Sequence, residues 1–239
     1  MKYIALPATV GQRRLSFYLA MEEYVARSLG EEDAFFLWQV KPTVIFGRNQ
    51  SMEGEVNVDY CRRHGIEMYR RKSGGGCVYA NEQNLMLSFV TSEVNTGLAF
   101  NHFINMVVLV LRRLGIEATS TVHNDVLIDG RKVSGTACYQ LPGIANIVHG
   151  TLLYDTCMDH MLNAITPSRE KLQKKGIESV RQRITVLHDY LPQLSIEELK
   201  SFIRSTLCEG ELTLTADDVA RIERTELAYL KEEFIHLLP

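Results

Sequence analysis

Asp129-Gly130 stands between two apolar stretches in DVLIDGRKVSGTACYQ, and that placement constrains the chain more than any other feature. An Asp-Gly pair flanked by strand-forming residues supplies the positive φ angles of a tight hairpin, so the segments on either side are expected to pair antiparallel. Similar clustering recurs along the chain. AFFLWQV and TVIFG read as strands parted by a Lys41-Pro42 turn; EMYRRKS, GCVYA and NLMLSFVT follow as three more, and ANIVHGTLLYDT as another. Helical spacing is confined to other segments. Leu15, Tyr18, Leu19, Val25 and Leu29 mark an early amphipathic helix stopped at Gly30, and VDYCRRHG a short one ending at Gly65. Phe103, Met106, Val107, Val110 and Leu114 line one face of a buried helix over 100–114, and 159–164, 168–175, 196–207 and 217–238 read as helical. Strands that cluster at tight turns, rather than alternating singly with helices, predict an α+β domain with a mixed, largely antiparallel sheet flanked by helices.

A chain of 239 residues accommodates one main domain, and residues 191–239 read as a short helical C-terminal segment, either packed on that domain or forming a small appendage. The formal net charge of −3 provides no global basic field, which argues against nucleic acid as a partner and makes any anion site local. Cys61, Cys77, Cys138, Cys157 and Cys208 are odd in number and never form a C-x-x-C pair. Neither a disulfide framework nor a zinc site is indicated, and a reducing cytoplasm is the expected location. The longest apolar run, MVVLVL at 106–111, is far too short to span a bilayer, so no membrane partner is expected.

Local anion-friendly features are present. In YRRKSGGGCVYANEQN, residues 69–84, three glycines follow three cations. Consecutive glycines permit positive φ and close backbone approach, so their N–H groups can cradle an anion such as phosphate; a plain turn between strands is the alternative. Neither the Walker pattern nor a dinucleotide fingerprint is present. Because alternate strand residues face opposite ways, one or two of Arg70, Arg71 and Lys72 are expected to face whatever the glycines face. Next, Asn124-Asp125 and GRKVSG put Lys132 just past the hairpin turn and Ser134-Gly135 after it. A lysine so placed suits a phosphate or a developing oxyanion, or is simply solvated; Asp125 suits Mg²⁺ or a turn cap. In VHGTLL, His149 either contacts a ligand or is a hydrogen-bonded core histidine. The cations of KKGIESVRQRITVL suit an anionic partner or a solvated face. Cys77 and Cys138 are candidate nucleophiles or buried inert thiols.

In order and spacing, RRKSGGGCVYANEQNLMLSF, NDVLIDGRKVSG, HGTLL and KLQKKGIESVRQRI together resemble the lipoate-protein ligase A family, and LAMEE and FFLWQVKPTVIFGRNQ extend the match over about residues 17–186. The resemblance implies the catalytic fold shared with biotin protein ligases and related to class II aminoacyl-tRNA synthetases, occupying residues 1–190. It implies activation of lipoate by Mg-ATP to lipoyl-adenylate. Transfer to a lysine then follows, on a lipoyl domain of a 2-oxoacid dehydrogenase or on glycine-cleavage H protein. By the same resemblance Arg71, Ser73, Gly74, Gly75 and Gly76 form the loop over the acyl chain and its adenylate. Lys132 corresponds to the family's essential lysine, with Ser134 and Gly135 beside it. Asn124 and Asp125 face the nucleotide, Asp125 as the Mg²⁺ ligand, while Val78, Tyr79, Asn84, His149, Gly150 and Thr151 line the acyl tunnel.

Three departures open rival readings. Family members usually carry His-Asp where this chain has Ala80-Asn81, usually carry an arginine after the Ser-Gly that follows the essential lysine, and in their longer forms carry an accessory C-terminal domain for which the residues after Ile184 are too few. A separate accessory subunit is one answer to the last. Another is an ATP-independent octanoyl or lipoyl transferase working through a cysteine thioester, for which Cys138 is the nearest thiol to Lys132. The loss at Ala80-Asn81 motivates a third reading, a non-catalytic protein that binds lipoate or a lipoyl domain.

Overall fold

Both residues of the Asp129-Gly130 turn take positive φ, 50° and 74°, and the strands they join pair antiparallel, as the sequence predicts. The computed structural model describes residues 1–28, 30, 32–121, 125–166 and 183–237. Among these the strands are β1 (Lys2–Ala5), β2 (Ala34–Trp38), β3 (Thr43–Phe46), β4 (Glu67–Arg70), β5 (Val78–Ala80), β6 (Asn84–Thr91), β7 (Ala118–Ser120), β8 (Asp125–Ile128), β9 (Arg131–Leu141), β10 (Ala145–Leu153) and β11 (Gly210–Thr213). The helices are α1 (Leu15–Ser28), α2 (Met52–Glu55), α3 (Val58–Arg63), α4 (Thr96–Arg113), α5 (Met158–Ala164), α6 (Ile196–Leu207), α7 (Ala216–Glu226) and α8 (Glu232–Ile235). The expected helix over 168–175 lies outside the described residues.

Eight strands form one sheet in the order β11-β1-β2-β6-β10-β9-β8-β7, and three form a second in the order β4-β3-β5. In the large sheet β1 runs parallel to β2 and β11, and the remaining pairs are antiparallel. The mixed, largely antiparallel α+β architecture is therefore as expected. Helix α4 covers one face of this sheet through Phe103, Val107 and Leu111, packed with Phe35, Leu87, Phe89, Val148 and Leu152. Helix α1 covers the other, where Tyr18, Leu19 and Val25 join Phe36, Trp38, Met86 and Ile147; Ile45, Tyr69 and Ala80 of the small sheet close over the same cluster. Central strands covered on both faces need no alternation, which is why β6 reads NLMLSFVT and is buried throughout.

The C-terminal residues are part of this body rather than an appendage. Strand β11 extends the large sheet along β1. Helix α7 docks on the start of α1 through Arg13–Glu223 and Arg14–Glu226, each 2.8 Å, and a 2.6 Å hydrogen bond from Ser16 to Glu226. Ser195 and Glu198 form a capping box at the start of α6, and Thr215 and Asp218 another on α7, satisfying N–H groups that a first helical turn leaves unpaired. The single helix expected over 217–238 is two, α7 and α8, separated by a turn.

Candidate active site

Register decides which side chains meet. Antiparallel pairing aligns Trp38, Met86, Thr151, Gly135 and Asp125 as one cross-strand row, and Phe36, Ser88, His149 and Ala137 as the next. Directly paired residues share a face, so both rows look toward α1 and the small sheet. Their sequence neighbours look the other way. Ser134 lies opposite Leu152 on the α4 side, where its hydroxyl has no hydrogen-bond partner among the described residues. A Cβ on Gly150 would meet Phe103 of α4 at 2.9 Å, so this glycine admits a ring of the far core instead of lining an acyl tunnel. Cys138, cross-strand from Val148, packs with the α4 cluster and is likewise turned away from Lys132.

At the open end of the first row, Lys132 Nζ is 2.7 Å from Asp125 Oδ1, and Arg183 Nη2 is 2.5 Å from Asp125 Oδ2. Gly135 is what lets the lysine lie there, because a Cβ at that position would fall 2.5 Å from Nζ. Two cations on one carboxylate leave a surplus positive charge at the point where Lys132 emerges. Both oxygens of Asp125 are committed to cations, and among the described residues no group of three His, Cys, Asp or Glu side chains is placed to hold a metal. In this arrangement Asp125 is the counter-ion that holds Lys132 and Arg183 together. Asn124 lies outside the described residues, as do 171–182 of the cationic stretch.

The triglycine loop is organised by the cations that precede it. Arg71 is buried, and its guanidinium donates to the carbonyls of Ile45 (3.2 Å), Gly74 (2.7 Å) and Gly76 (2.8 Å) and to Ser73 Oγ (2.9 Å). Burial pulls its pKa down to about 10. Arg70, 1% exposed, donates to Gly47, Arg48 and Gln50 and to the C-terminal carbonyls of Ile235 and Leu237. Lys72 pairs with Glu23 of α1 at 2.5 Å. In this structure the three cations are engaged by the protein itself: the guanidinium donors of Arg70 and Arg71 gather loop carbonyls, among them those of Gly74 and Gly76, and Lys72 pairs with an acid of α1. Gly75 takes φ +93°, and a Cβ on Gly47 would sit 2.2 Å from the Gly75 carbonyl oxygen, so β3 and the loop touch backbone to backbone. Gly74 and Gly76 face open space.

Inside the loop a buried polar chain crosses both sheets. Ser73 Oγ is 2.8 Å from His149 Nε2, His149 Nδ1 is 3.0 Å from both oxygens of Glu22, Ser88 Oγ donates to Glu22 at 2.6 Å, and Trp38 Nε1 donates to Ser88 Oγ at 2.8 Å. Of the remaining tunnel residues, Val78 and Thr151 are on the α1 side, Thr151 with a 3.4 Å contact to Met86 Sδ. Tyr79 points into the opposite cluster with Val44, Phe46 and Met161, and Asn84 ties Tyr79 O to Thr156 Oγ1. Ala80 is sealed in the core and Asn81 accepts from Gln83 N, closing a turn. Glu22, Ser88, Trp38 and Gly47 line this candidate site without having been singled out from the sequence, whereas Arg183 comes from the cationic stretch weighed there as suiting an anionic partner or a solvated face. Glu22 had a usable signal, since it falls three and four residues after Leu19 and Tyr18 and so places an acid on the apolar stripe of α1.

Residues 15–208 match the family model described as the lipoyl protein ligase A/B catalytic domain. Curated relatives include lipoate-protein ligase LplJ of Bacillus subtilis, 34% identical over 221 residues that cover 91% of this chain and 65% of the relative. Another is lipoate–protein ligase 1 of Staphylococcus aureus, 37% identical over 213 residues, 86% of this chain and 65% of the relative. The chain thus spans a little under two thirds of the length of these relatives. Among solved structures, one from an archaeal lipoylation system, described as a bi-partite lipoate protein ligase and its E2 lipoyl domain from Thermoplasma acidophilum, superposes with a TM-score of 0.84 at 27% identity, covering 100% of this chain and 97% of that one. A lipoate-protein ligase A bound with ATP has the same fold, with a TM-score of 0.83 at 24% identity over 100% of both chains.

Proposed function

The chain belongs to the lipoyl protein ligase A/B catalytic-domain family, and from that premise we propose that it activates lipoate with Mg-ATP to lipoyl-adenylate and passes the lipoyl group to a lysine of a lipoyl domain. The observation that carries this reading is the Lys132–Asp125–Arg183 group at the mouth of the sheet face: a fixed lysine and a second cation where a carboxylate and an α-phosphate accumulate charge. Adenylation asks little covalent help of a protein. It needs the carboxylate held in line with phosphorus and cations placed before the charge develops. Val78, Met86, Trp38 and Ile147 offer an apolar wall between the two sheets for the acyl chain. The acceptor class extends to glycine-cleavage H protein, whose lysine presents the same amine chemistry. The relation to a bi-partite ligase supports a second polypeptide that completes adenylation.

ATP–pyrophosphate exchange, run with and without lipoate, followed by acylation of a purified lipoyl domain, tests the proposal. Lipoate-dependent exchange that Lys132→Ala reduces at least about a thousandfold supports it; exchange indifferent to lipoate or to Lys132 sinks it. Exchange without transfer calls for adding the C-terminal accessory portion of a longer relative as a separate polypeptide. Cys138 and Cys77 give the thioester transferase little support. Burial pushes the Cys138 thiol up to about 11 and Cys77 up to about 12, and a thiol held that high is a poor nucleophile near neutrality. We expect iodoacetamide to label exposed Cys157 first and these two roughly a hundredfold more slowly, as followed by peptide mass spectrometry. Rapid labelling of Cys138 would revive the transferase.

A further inference from the structure

Arg70, Arg71 and Lys72 lead from the end of β4 into the triglycine loop, and the alternation of an extended chain sends neighbouring side chains to opposite sides. Arg71 turns to the loop carbonyls. Arg70 and Lys72 turn the other way, and both are met by the segment that follows α7. We infer that this segment, Tyr229 to Leu237, is a strap that fixes the triglycine loop in place for its ligand, with Arg70 and Lys72 as the positioning residues through which it holds.

Arg70 is the longer-reaching hold. Its guanidinium donates to the carbonyls of Ile235 and Leu237 at 3.2 and 2.5 Å, and also to those of Arg48 and Gln50 at 2.8 Å each. Stacking 4.9 Å over the Phe46 ring keeps its plane fixed. Beyond it, Arg48 N donates to Ser73 O at 2.9 Å, and Gly47 lies against the Gly75 carbonyl with no room for a Cβ. A continuous path of polar and backbone contacts thus runs from the strap through Arg70 and residues 47–50 into the loop. If the strap leaves, a buried guanidinium loses two acceptors and must turn to regain them, disturbing the carbonyls it still holds.

Lys72 is the second hold. Its ammonium pairs with Glu23 of α1 at 2.5 Å and lies 4.7 Å from the centre of the Tyr229 ring, and the Tyr229 hydroxyl donates to the same Glu23 oxygen. The strap itself is seated by apolar burial. Phe234 packs edge-on against Tyr229 with ring centroids 5.6 Å apart, Leu230 and Phe234 rest on the α1 cluster, and Ile235 rests on the cluster that contains Phe46.

Such a strap supplies order before a ligand arrives. Gly74 and Gly76 have open space at their Cβ positions and Gly75 takes φ +93°, so the loop has little stiffness of its own. Order imposed from outside spares a ligand the cost of freezing the loop; a ligand meeting a loosened loop bears that cost as lost affinity. That the ligand is lipoate or its adenylate rests on the ligase reading, whereas the hold of the strap on the loop does not.

Hydrogen–deuterium exchange of the full chain reads the strap with no substrate present. Phe234→Ala removes the ring that props Tyr229 and alters neither cation. The amides of Arg48 and of Ser73 to Gly76 are expected to exchange about tenfold faster in this variant. Arg70→Lys, which keeps the charge but cannot fork between two backbones, is expected to speed the same amides and that of Leu237. Val107→Ala in the α4 cluster is the control: its cavity weakens the whole fold without touching the strap, so the loop amides are expected to keep their wild-type rates. Pyrophosphate exchange then shows a split. Phe234→Ala and Arg70→Lys are expected to raise the KM for lipoate about fivefold, by more than they lower kcat, whereas Val107→Ala reduces the folded fraction and so lowers kcat alone. Loop amides at wild-type rates in both strap variants overturn the strap, and a loosened loop with an unmoved KM overturns its role in holding the loop for a ligand. A wild-type chain without lipoate-dependent exchange, even with the accessory portion added, rejects the ligase reading, while the amide rates still decide the strap.

Discussion

The two ends of the site face hold their charges in opposite ways. Lys132, Asp125 and Arg183 meet near the surface, the two cation side chains 27% and 30% exposed, whereas Glu22 and His149 are sealed between α1 and the sheet at 4% and 10%. Near the surface, water and salt weaken an ion pair, so a ligand can exchange for one partner at small cost. In the interior each polar group depends on its neighbour, because an orphaned carboxylate or imidazole cannot turn to water. The first arrangement is suited to groups that must change partners, as the proposed adenylation would require, the second to groups that must keep their geometry.

The comparison breaks if truncating Glu22 is harmless. Glu22→Ala removes the acceptor for both His149 Nδ1 and Ser88 Oγ, and leaves a cavity under α1. We expect a loss of about 2–5 kcal/mol in denaturant unfolding, because two buried donors are orphaned at about 1–3 kcal/mol each. Glu22→Gln, which keeps volume and one acceptor, is expected to lose less than half of that. Equal losses would mean that the charge contributes nothing.

Gly47→Ala probes the same interior from the small sheet. Its Cβ would stand 2.2 Å from the backbone oxygen of Gly75, and backbone, unlike a flexible side chain, has nowhere cheap to go. Overpacking of this kind costs about 1–3 kcal/mol. The movement carries Ser73 with it, since Arg48 N donates to Ser73 O at 2.9 Å. Transfer is therefore expected to fall further than stability implies, by about a hundredfold, a size that an error of about 1 Å in placement can produce.

These contrasts also explain what was legible in the sequence. The hairpin at Asp129-Gly130, the buried strand NLMLSFVT and the helix over Phe103 and Val107 announce themselves because each depends on its own local pattern. Lys132 was legible for the same reason, lying two residues beyond a recognisable turn. The face on which a residue lands was harder. Ser134 and Gly150 are sequence neighbours of Gly135, His149 and Thr151, yet strand alternation turns them toward α4. Arg70 and Arg71 look like phosphate ligands in any reading of RRKSGGG; that loop carbonyls claim them depends on Ile45, Gly47 and the far C-terminus arriving nearby. Partners 20 to 170 residues away leave no trace in a local motif.

At the exposed end the expected changes in stability are smallest and the changes in activity are not. Gly135→Ala brings a Cβ within 2.5 Å of Lys132 Nζ, but the obstacle is the tip of a flexible side chain, so the lysine moves instead of the fold. Unfolding is expected to shift by less than about 1 kcal/mol, while pyrophosphate exchange falls by about a hundredfold because Lys132 no longer rests on Asp125. Asp125→Asn separates the two effects further. It removes the charge of a buried carboxylate, 10% exposed, whose two cation partners are part-exposed and can turn to water, so stability is expected to fall by only about 1 kcal/mol while the local charge rises from one surplus cation to two. An added cation favours a polyphosphate, so the KM for ATP is expected to fall modestly and to rise again with added salt. The unpaired lysine is meanwhile free to wander, so kcat is expected to fall about tenfold. A fall in stability as large as that of Glu22→Ala would show that Asp125 is structural after all, and that the two ends of the site do not differ in the way their exposure implies.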